Sequence, residues 1–446
     1  MPLSRRALIS AGLFGLAGPS PNPIDADWRA FAAGLAGSVD RPGDAGYDKG
    51  RALFSPRFDQ VRPPAVVHCA DPADVVAAMA FAKRFGLPIV PRGGGHSYVG
   101  ASTTAYGLVL DVRPIRAVTF DAATRTATIG GGATLRDIAA GLSPHRVTVP
   151  SGTCDTVGIS GITSGGGIGP MSSAYGLTSD NVVSAELVTS DGKTRAVDAG
   201  REPELFWALR GGGGGRFGVV TSWRMRTCPA RPAGRFTLVF RWADAARVLS
   251  GWLARITVAP DDAWSACLLS ADRTGGLSVR VNGTVLGGDA HAEVAALSAA
   301  IGRDPVSATM DRAAAGPSAE RGTHLVGSDV FAGPLPPAGV DTLLAVLRRR
   351  AAEKRPGVAK LKRMTGLPGR TAPGSTAFPW HGTHSMLQWL VDGDTVAGGY
   401  TWIDSGHHAM APWSSGRYVN YLEPGPFDPA RYHGRNRDRL AKIPLL

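Results

Sequence analysis

Glycine placement constrains this chain more than any other feature, because 25 of its 59 glycines fall between Pro91 and Val220. Glycine concentrates where a backbone turns through positive φ or lies against something a side chain would block. The surplus has no G-x-y period, and hydrophobic residues make up 43% of the 446, which excludes collagen and bulk disorder and leaves room for two packed domains. A globular enzyme is expected, with the glycine-rich stretch wrapped around a ligand.

The flanking pattern is regular. AVVHCA reads as a strand, PADVVAAMAFAKRF (72–85) as a helix with Asp71 at its N-cap, and LPIVPRGGG as a strand and turn, forming a β-α-β unit. GLVLDV (107–112) and AVTFDAATRTATIGGG (117–132) continue it with a hairpin turn at Asp121–Thr124, followed by a helix over 134–141. VVSAELVTSDGKTRAV (182–197) is a second hairpin, turning at Asp191-Gly192. From about Arg235 glycine thins and β-type segments alternate with Ala-rich helices, which places a domain boundary there.

Three glycine clusters need a chemical reading: Pro91–Ser97 (PRGGGHS), Gly161–Gly169 (GITSGGGIG) and Gly211–Gly218 (GGGGGRFG). None has the G-K-[ST] of a phosphate-binding P-loop, and none opens a Rossmann unit with a correctly spaced acid. Consecutive N–H groups in curled glycine loops bind anions, and several such loops together can enclose a pyrophosphate.

The charge balance is +12, with only seven lysines among 48 basic residues. Basic residues form no long run, and Arg348–Arg350 reads as the solvated end of a helix, so nucleic-acid binding is not expected. The four cysteines are widely spaced without a C-x-x-C, which indicates neither a zinc site nor a disulfide scaffold. Arg5 and Arg6 precede a short apolar stretch to Gly18 that is too short to span a bilayer. This segment resembles a twin-arginine export signal, so a soluble extracellular or periplasmic destination and no stable membrane insertion are expected.

The strings VPRGGGHSYVG (90–100), PSGTCDTVGISGITSGGGIGPMSSAYGLTSDNVV (150–183), LFWALRGGGGGRFGVVTS (205–222), FPWHGTHSMLQW (378–389) and YVNYLEP (418–424) resemble, in that order, the berberine-bridge-enzyme-like branch of the FAD-linked oxidases. The resemblance implies an α+β protein: a two-lobed PCMH-type FAD-binding domain (62–233) and a substrate domain with a large antiparallel sheet flanked by helices (234–410). A leader (1–24) and lead-in (25–61) precede them, and a segment returning to the FAD domain (411–446) follows. The family continues past GRNRDRLAKI (434–443) with a further stretch, whereas this chain ends at Leu446, so weaker packing of its end is expected.

By the same resemblance, His96 matches the histidine bonded to the flavin 8α-methyl carbon and Cys154 the cysteine bonded to C6, giving bicovalent FAD. Both are sensible nucleophiles toward an electron-poor ring. Further FAD contacts are implied for Arg92, Gly93, Gly94, Gly95 and Ser97, for Gly152, Val157, Gly158 and Gly161, and for Gly165, Gly166, Gly167 and Gly169. Asn181, Gly218, Val219, Val220, Asn420 and Asn436 complete that set. Cys69, Cys228 and Cys267 fit no motif and are read as structural. Val157 occupies the position that gates oxygen, which favours O2 as acceptor and hydrogen peroxide as product.

Oxidising an alcohol needs a base for the hydroxyl proton, and a tyrosine held by cationic neighbours serves. Tyr418 and Tyr421 both match the family's catalytic motif, and the choice between them stays open. Gln388 and Trp389 are expected to line the substrate side. The FPWHGTHS segment departs from the family's F-P-H-R, and His381 and His384 lack a third ligand, so no metal is expected. The reading is an exported oxidase of a sugar, oligosaccharide or secondary-metabolite alcohol. A dehydrogenase with another acceptor and a catalytically impaired flavin-binding protein are the alternatives, and the oligomeric state is left unassigned.

Overall fold

The computed structural model describes residues 22–311 and 321–446; the Arg5-Arg6 leader lies outside the described residues. The first lobe is a four-stranded sheet of β1 (Ser38–Asp40), β2 (Ala65–His68), β3 (Ile89–Arg92) and β4 (Leu108–Asp111) in the order β1-β2-β4-β3, with β2, β3 and β4 parallel. Between β2 and β3 runs the helix Pro72–Arg84, whose first turn is closed by the Asp71 carboxylate accepting the Asp74 N–H at 3.0 Å. Its buried Val75, Ala78, Met79 and Ala82 recur at helical spacing against the sheet.

The second lobe contains β5 (Val118–Asp121), β6 (Thr126–Gly130), β8 (Val182–Val188), β9 (Thr194–Asp198) and β10 (Val219–Arg226) in the antiparallel order β5-β6-β10-β8-β9. A short pair, β7 (Val147–Thr148) with β11 (Cys228–Pro229), lies beside it. Both hairpins form where the sequence placed them, at Asp121–Thr124 and Asp191-Gly192. Successive strand residues face opposite ways, so Val219 joins the core of the first lobe and Val220 that of the second.

The second domain is an eight-stranded antiparallel sheet built from β12 (Ala233–Phe240), β13 (Ala263–Ala271), β14 (Leu277–Leu286), β15 (Ser307–Asp311), β16 (His324–Phe331), β17 (Gly357–Arg363), β18 (Ser385–Asp392) and β19 (Ser414–Gly416). The strand order is β15-β12-β14-β13-β17-β18-β16-β19. Helices Ala245–Val258, His291–Ile301, Pro337–Ala352 and Val396–Met410 cover one face, where Leu269, Leu361, Leu387 and Trp389 are buried. The other face turns toward the first domain through a separate cluster that includes Leu177, Val330, Phe378, Trp380, Met386 and Tyr418.

Three expectations are corrected. Trp389 does not line the substrate side: strand alternation sets it opposite Gln388, on the helix face, with its indole donating to Asp329 at 2.8 Å. Arg350 is not solvated but 1% exposed and bonded to Asp394. The C-terminus is not loosely packed. Leu440 and Ile443 enter the core of the five-stranded lobe, Arg439 grips Glu204 with two bonds at 2.7 and 2.8 Å, and the Leu446 N–H donates to the Arg216 carbonyl at 2.7 Å.

The segment that returns from the substrate sheet is held through His407, buried between Asp329 (2.7 Å) and Glu423 (3.0 Å), with Arg417 on Glu423. Burial opposes its charge, but the two carboxylates win and raise its pKa to about 9. Its stabilisation is therefore complete below the ordinary value of 6.5 and is lost as pH rises through about 9. His407→Leu leaves the buried Asp329 carboxylate without its counter-charge and should cost about 3–5 kcal/mol in denaturant unfolding. Over the same pH interval the parent should lose stability relative to the variant.

Candidate cofactor cleft and active site

Two backbones meet where only glycine fits: a Cβ on Gly94 would lie 2.3 Å from the Gly158 nitrogen, and one on Gly158 equally close to that of Gly94. This contact brings the loop after β3 against the segment entering the helix Ile159–Ser164. As a result His96 Nε2 lies 3.0 Å from Thr156 Oγ1, and Cys154 Sγ lies 3.4 Å from the same oxygen. The His96 ring stacks on Phe54 at 4.0 Å between centroids. Burial pushes its pKa down to about 4, so the imidazole is neutral near pH 7. Cys154 is half-buried, whereas Cys69, Cys228 and Cys267 are buried, the last two with thiols pushed up to about 12.

The first glycine cluster fits a bound anion. Among the described residues, no acceptor takes the backbone N–H groups of Gly93, Gly94, Gly95, His96 or Ser97, and Gly95 has φ +68°, which curls the loop. Gly161 has no atom within 4 Å of where a Cβ would stand, so open volume borders it. The Val157 N–H donates to the Cys154 carbonyl at 3.2 Å, and its side chain leans on the core of the five-stranded lobe.

The other two clusters do not form nests. The N–H groups of Gly166, Gly167 and Gly169 are taken by Thr163 O, Tyr418 Oη and Ser172 Oγ, and those of Gly211 and Gly213 both go to Ser164 O. Two of these glycines make room for residues arriving from beyond the first domain, Gly165 abutting Asn420 and Gly166 the Phe378 ring, while Gly167 packs on Thr178 of its own domain. Gly152 packs on Ile162, and Gly218 against Leu187. Val219 and Val220 pair with β8.

Several polar side chains expected at the cofactor are engaged elsewhere. Arg92 is 1% exposed and pairs with Asp111 at 2.8 Å, alongside Arg113 and His68. Asn181 donates to the carbonyls of Tyr175 and Leu177, and Asn436 to those of Thr376 and Ala377. Asn420 remains at the cleft, donating to Ile162 O and to Tyr418 Oη. His381 pairs with Asp180 and His384 with Thr257, so the two do not converge.

The opposite wall is the uncovered face of the large sheet. Lys360 stands across from Gln388, and Lys362 across from Met386. Lys362 Nζ is 2.5 Å from Tyr421 Oη and 4.8 Å from the centre of its ring. Burial pushes this amine down to about 7 and raises the Tyr421 phenol. Tyr418 is placed differently: its oxygen accepts N–H bonds from Gly167 (3.0 Å) and Asn420 (2.9 Å), pinning the two domains together. Tyr98 joins the walls, since its ring meets that of Tyr421 edge-on at 5.9 Å, and its phenol is raised by burial and by the neighbouring Tyr421 and Cys154. The lysines were legible in the alternating V-A-K-L-K-R of β17, which puts two of the chain's seven lysines on one sheet face.

Residues 63–198 match the model of an FAD binding domain family. An uncharacterized FAD-linked oxidoreductase of Bacillus subtilis is 34% identical over 222 residues, 49% of each chain. A berberine bridge enzyme-like protein of Cynodon dactylon is 34% identical over 207 residues, 42% of this chain and 40% of that one. The chain spans about half the length of the curated relatives it matches. In fold it resembles a xylooligosaccharide oxidase of Myceliophthora thermophila solved with xylobiose: TM-score 0.81, 22% identity, 93% of this chain and 95% of that one.

The glycine contact and the cradle can be separated experimentally. Gly94→Ala forces its methyl into backbone and should destabilise by about 1–3 kcal/mol or more, read by thermal unfolding. Gly161→Ala meets open space, so it should leave the unfolding temperature of the cofactor-free chain unchanged while lowering flavin absorbance per chain.

Proposed function

We propose that the chain, an FAD-linked oxidoreductase similar to berberine bridge enzyme-like proteins, oxidises an alcohol to a carbonyl with bicovalently held FAD and O2. The observation that carries this reading is the Tyr421–Lys362 pair, which faces the His96–Thr156–Cys154 cluster with Tyr98 between. Bound FAD supplies the hydride acceptor and, with O2 as final oxidant, yields hydrogen peroxide.

His96 and Cys154 are the residues that would hold the ring. The first is a neutral imidazole and the second the half-buried thiol, and both lie at one hydroxyl. The free N–H groups of Gly93–Ser97 suit the pyrophosphate. The substrate hydroxyl gives its proton to Tyr421 Oη as the phenol passes its own to Lys362 Nζ. The amine can receive it because burial keeps a large fraction unprotonated near neutral pH. Gln388, on the same face and 7% exposed, orients the substrate oxygen from the neighbouring strand. The small side chain of Val157 beside Cys154 supports O2 as acceptor. The substrate named for the xylooligosaccharide oxidase supports a polyhydroxylated alcohol here. The Arg5-Arg6 leader supports export of the folded protein.

Denaturing mass spectrometry should find one FAD retained on the unfolded chain. His96→Ala and Cys154→Ala should each keep it through the remaining bond, and the double variant should release it. Hydrogen peroxide should appear in step with the carbonyl product; flavin that is reduced by substrate and stays reduced in air would favour the dehydrogenase instead. The rate of flavin reduction should rise with pH through about 7 as Lys362 loses its proton. Lys362→Met should lower that rate by roughly 10²–10⁴-fold and abolish the rise.

A further inference from the structure

The face of the sheet that carries Lys362 holds two more cations with nothing to neutralise them. Arg280 on β14 and Lys360 on β17 stand in one row, both opposite Leu268 of the strand between them. Among the described residues neither finds a hydrogen-bond or ion-pair partner, and no carboxylate lies within ion-pair distance of Arg280, Lys360 or Lys362. Other buried cations have partners: Arg92 pairs with Asp111, Arg255 with Glu293 and Arg350 with Asp394, while Arg363 donates to the carbonyls of Ala259 and Pro260. Among the described residues Arg280 Nε is buried with no acceptor, and the Oδ1 of Asn282, the next residue on that face of β14, is buried with no donor.

Burying cations without counter-charges is costly, and these repel one another: burial and the charges of Lys362 and Arg280 push Lys360 down to about 8. A folded core gains nothing from such a row, whereas a cleft that receives an anion does. A guanidinium and an ammonium together match the two oxygens of a carboxylate, and Asn282 Oδ1 is free to accept from a neighbouring hydroxyl. Two residues along a strand span roughly 7 Å. That separates Lys360 from Lys362, and so the anion from the hydroxyl that Tyr421 deprotonates, by about the width of one sugar ring.

We propose that Arg280 and Lys360 form a carboxylate subsite, and that the substrate is an alcohol bearing a carboxylate, of the uronic or hydroxy acid class. This rests on the alcohol-oxidising reading above and sharpens it by substrate class. The subsite sets specificity and leaves the chemistry to Tyr421 and Lys362.

The test uses the FAD-loaded protein with matched probes: D-galactose with D-galacturonate, and benzyl alcohol with 4-(hydroxymethyl)benzoate. In each pair the acid should have the higher kcat/KM, by about tenfold or more. Arg280→Gln and Lys360→Gln should each raise KM for the acid about 10- to 100-fold with little change in kcat, leaving the neutral partner unaffected. Calorimetric titration with D-galacturonate under nitrogen reads the same loss as binding. Equal use of acid and neutral probes, a preference for galactose 1-phosphate over galacturonate, or variants that weaken both members of a pair alike would overturn the subsite. If galacturonate binds through Arg280 and Lys360 but no alcohol reduces the flavin, the subsite stands and the oxidase reading falls. If neutral alcohols are oxidised and acids neither bind nor react better, the reverse holds.

Discussion

The structure depends on one close approach, the Gly94 backbone lying against that of Gly158 with no space for a side chain on either. From it follows the meeting of two segments whose reactive residues are far apart in sequence. His96 and Cys154 come within reach of one threonine hydroxyl because the loops that carry them touch at the main chain. A loop that had to accommodate even a methyl group there would stand further out, and the imidazole and thiol would no longer address the same volume.

Gly165, Gly166 and Gly167 have a different physical role. They flatten the cofactor domain where the second domain lands, and the landing residues are specific: the Phe378 ring against Gly166, Asn420 against Gly165, and the Tyr418 phenol on the Gly167 N–H. The Tyr418 oxygen is engaged in this joint, whereas Tyr421 sits on the buried Lys362 amine, which is why the proposed proton transfer is given to Tyr421. The same joint sets the uncovered face of the large sheet, with Lys362, Gln388, Lys360 and Arg280, across from the attachment cluster. Interdomain packing and active-site assembly are therefore one event.

Much of the fold was legible because its determinants are local. The Asp71 cap, the two hairpin turns and the alternating strands follow from neighbouring residues, and each formed where the sequence places it. The misassigned features were those whose partners lie far along the chain. Arg92 follows a strand into a glycine loop and reads as a ligand, yet its guanidinium turns inward to Asp111. Trp389 adjoins Gln388 and was grouped with it, although adjacent strand residues face opposite sides. Arg350 ends a helix in a basic triplet, but the helix end is buried beside Asp394.

The sequence by itself determined which groups the proposed flavin site draws on: a histidine in a glycine loop, a cysteine beside a glycine turn, and tyrosines near the C-terminus. Spacing and residue type suffice for that, since attachment chemistry resides in individual side chains and loop conformation in a few consecutive residues. Only the tertiary structure decided which tyrosine pins the two domains and which sits on a buried amine, which glycine N–H groups are taken by protein, and that Arg280, Lys360 and Lys362 share one sheet face with no carboxylate partner among the described residues. Those properties depend on what stands across a gap. A residue's partner there is set by strand register and domain contact, neither of which is written in its immediate neighbours.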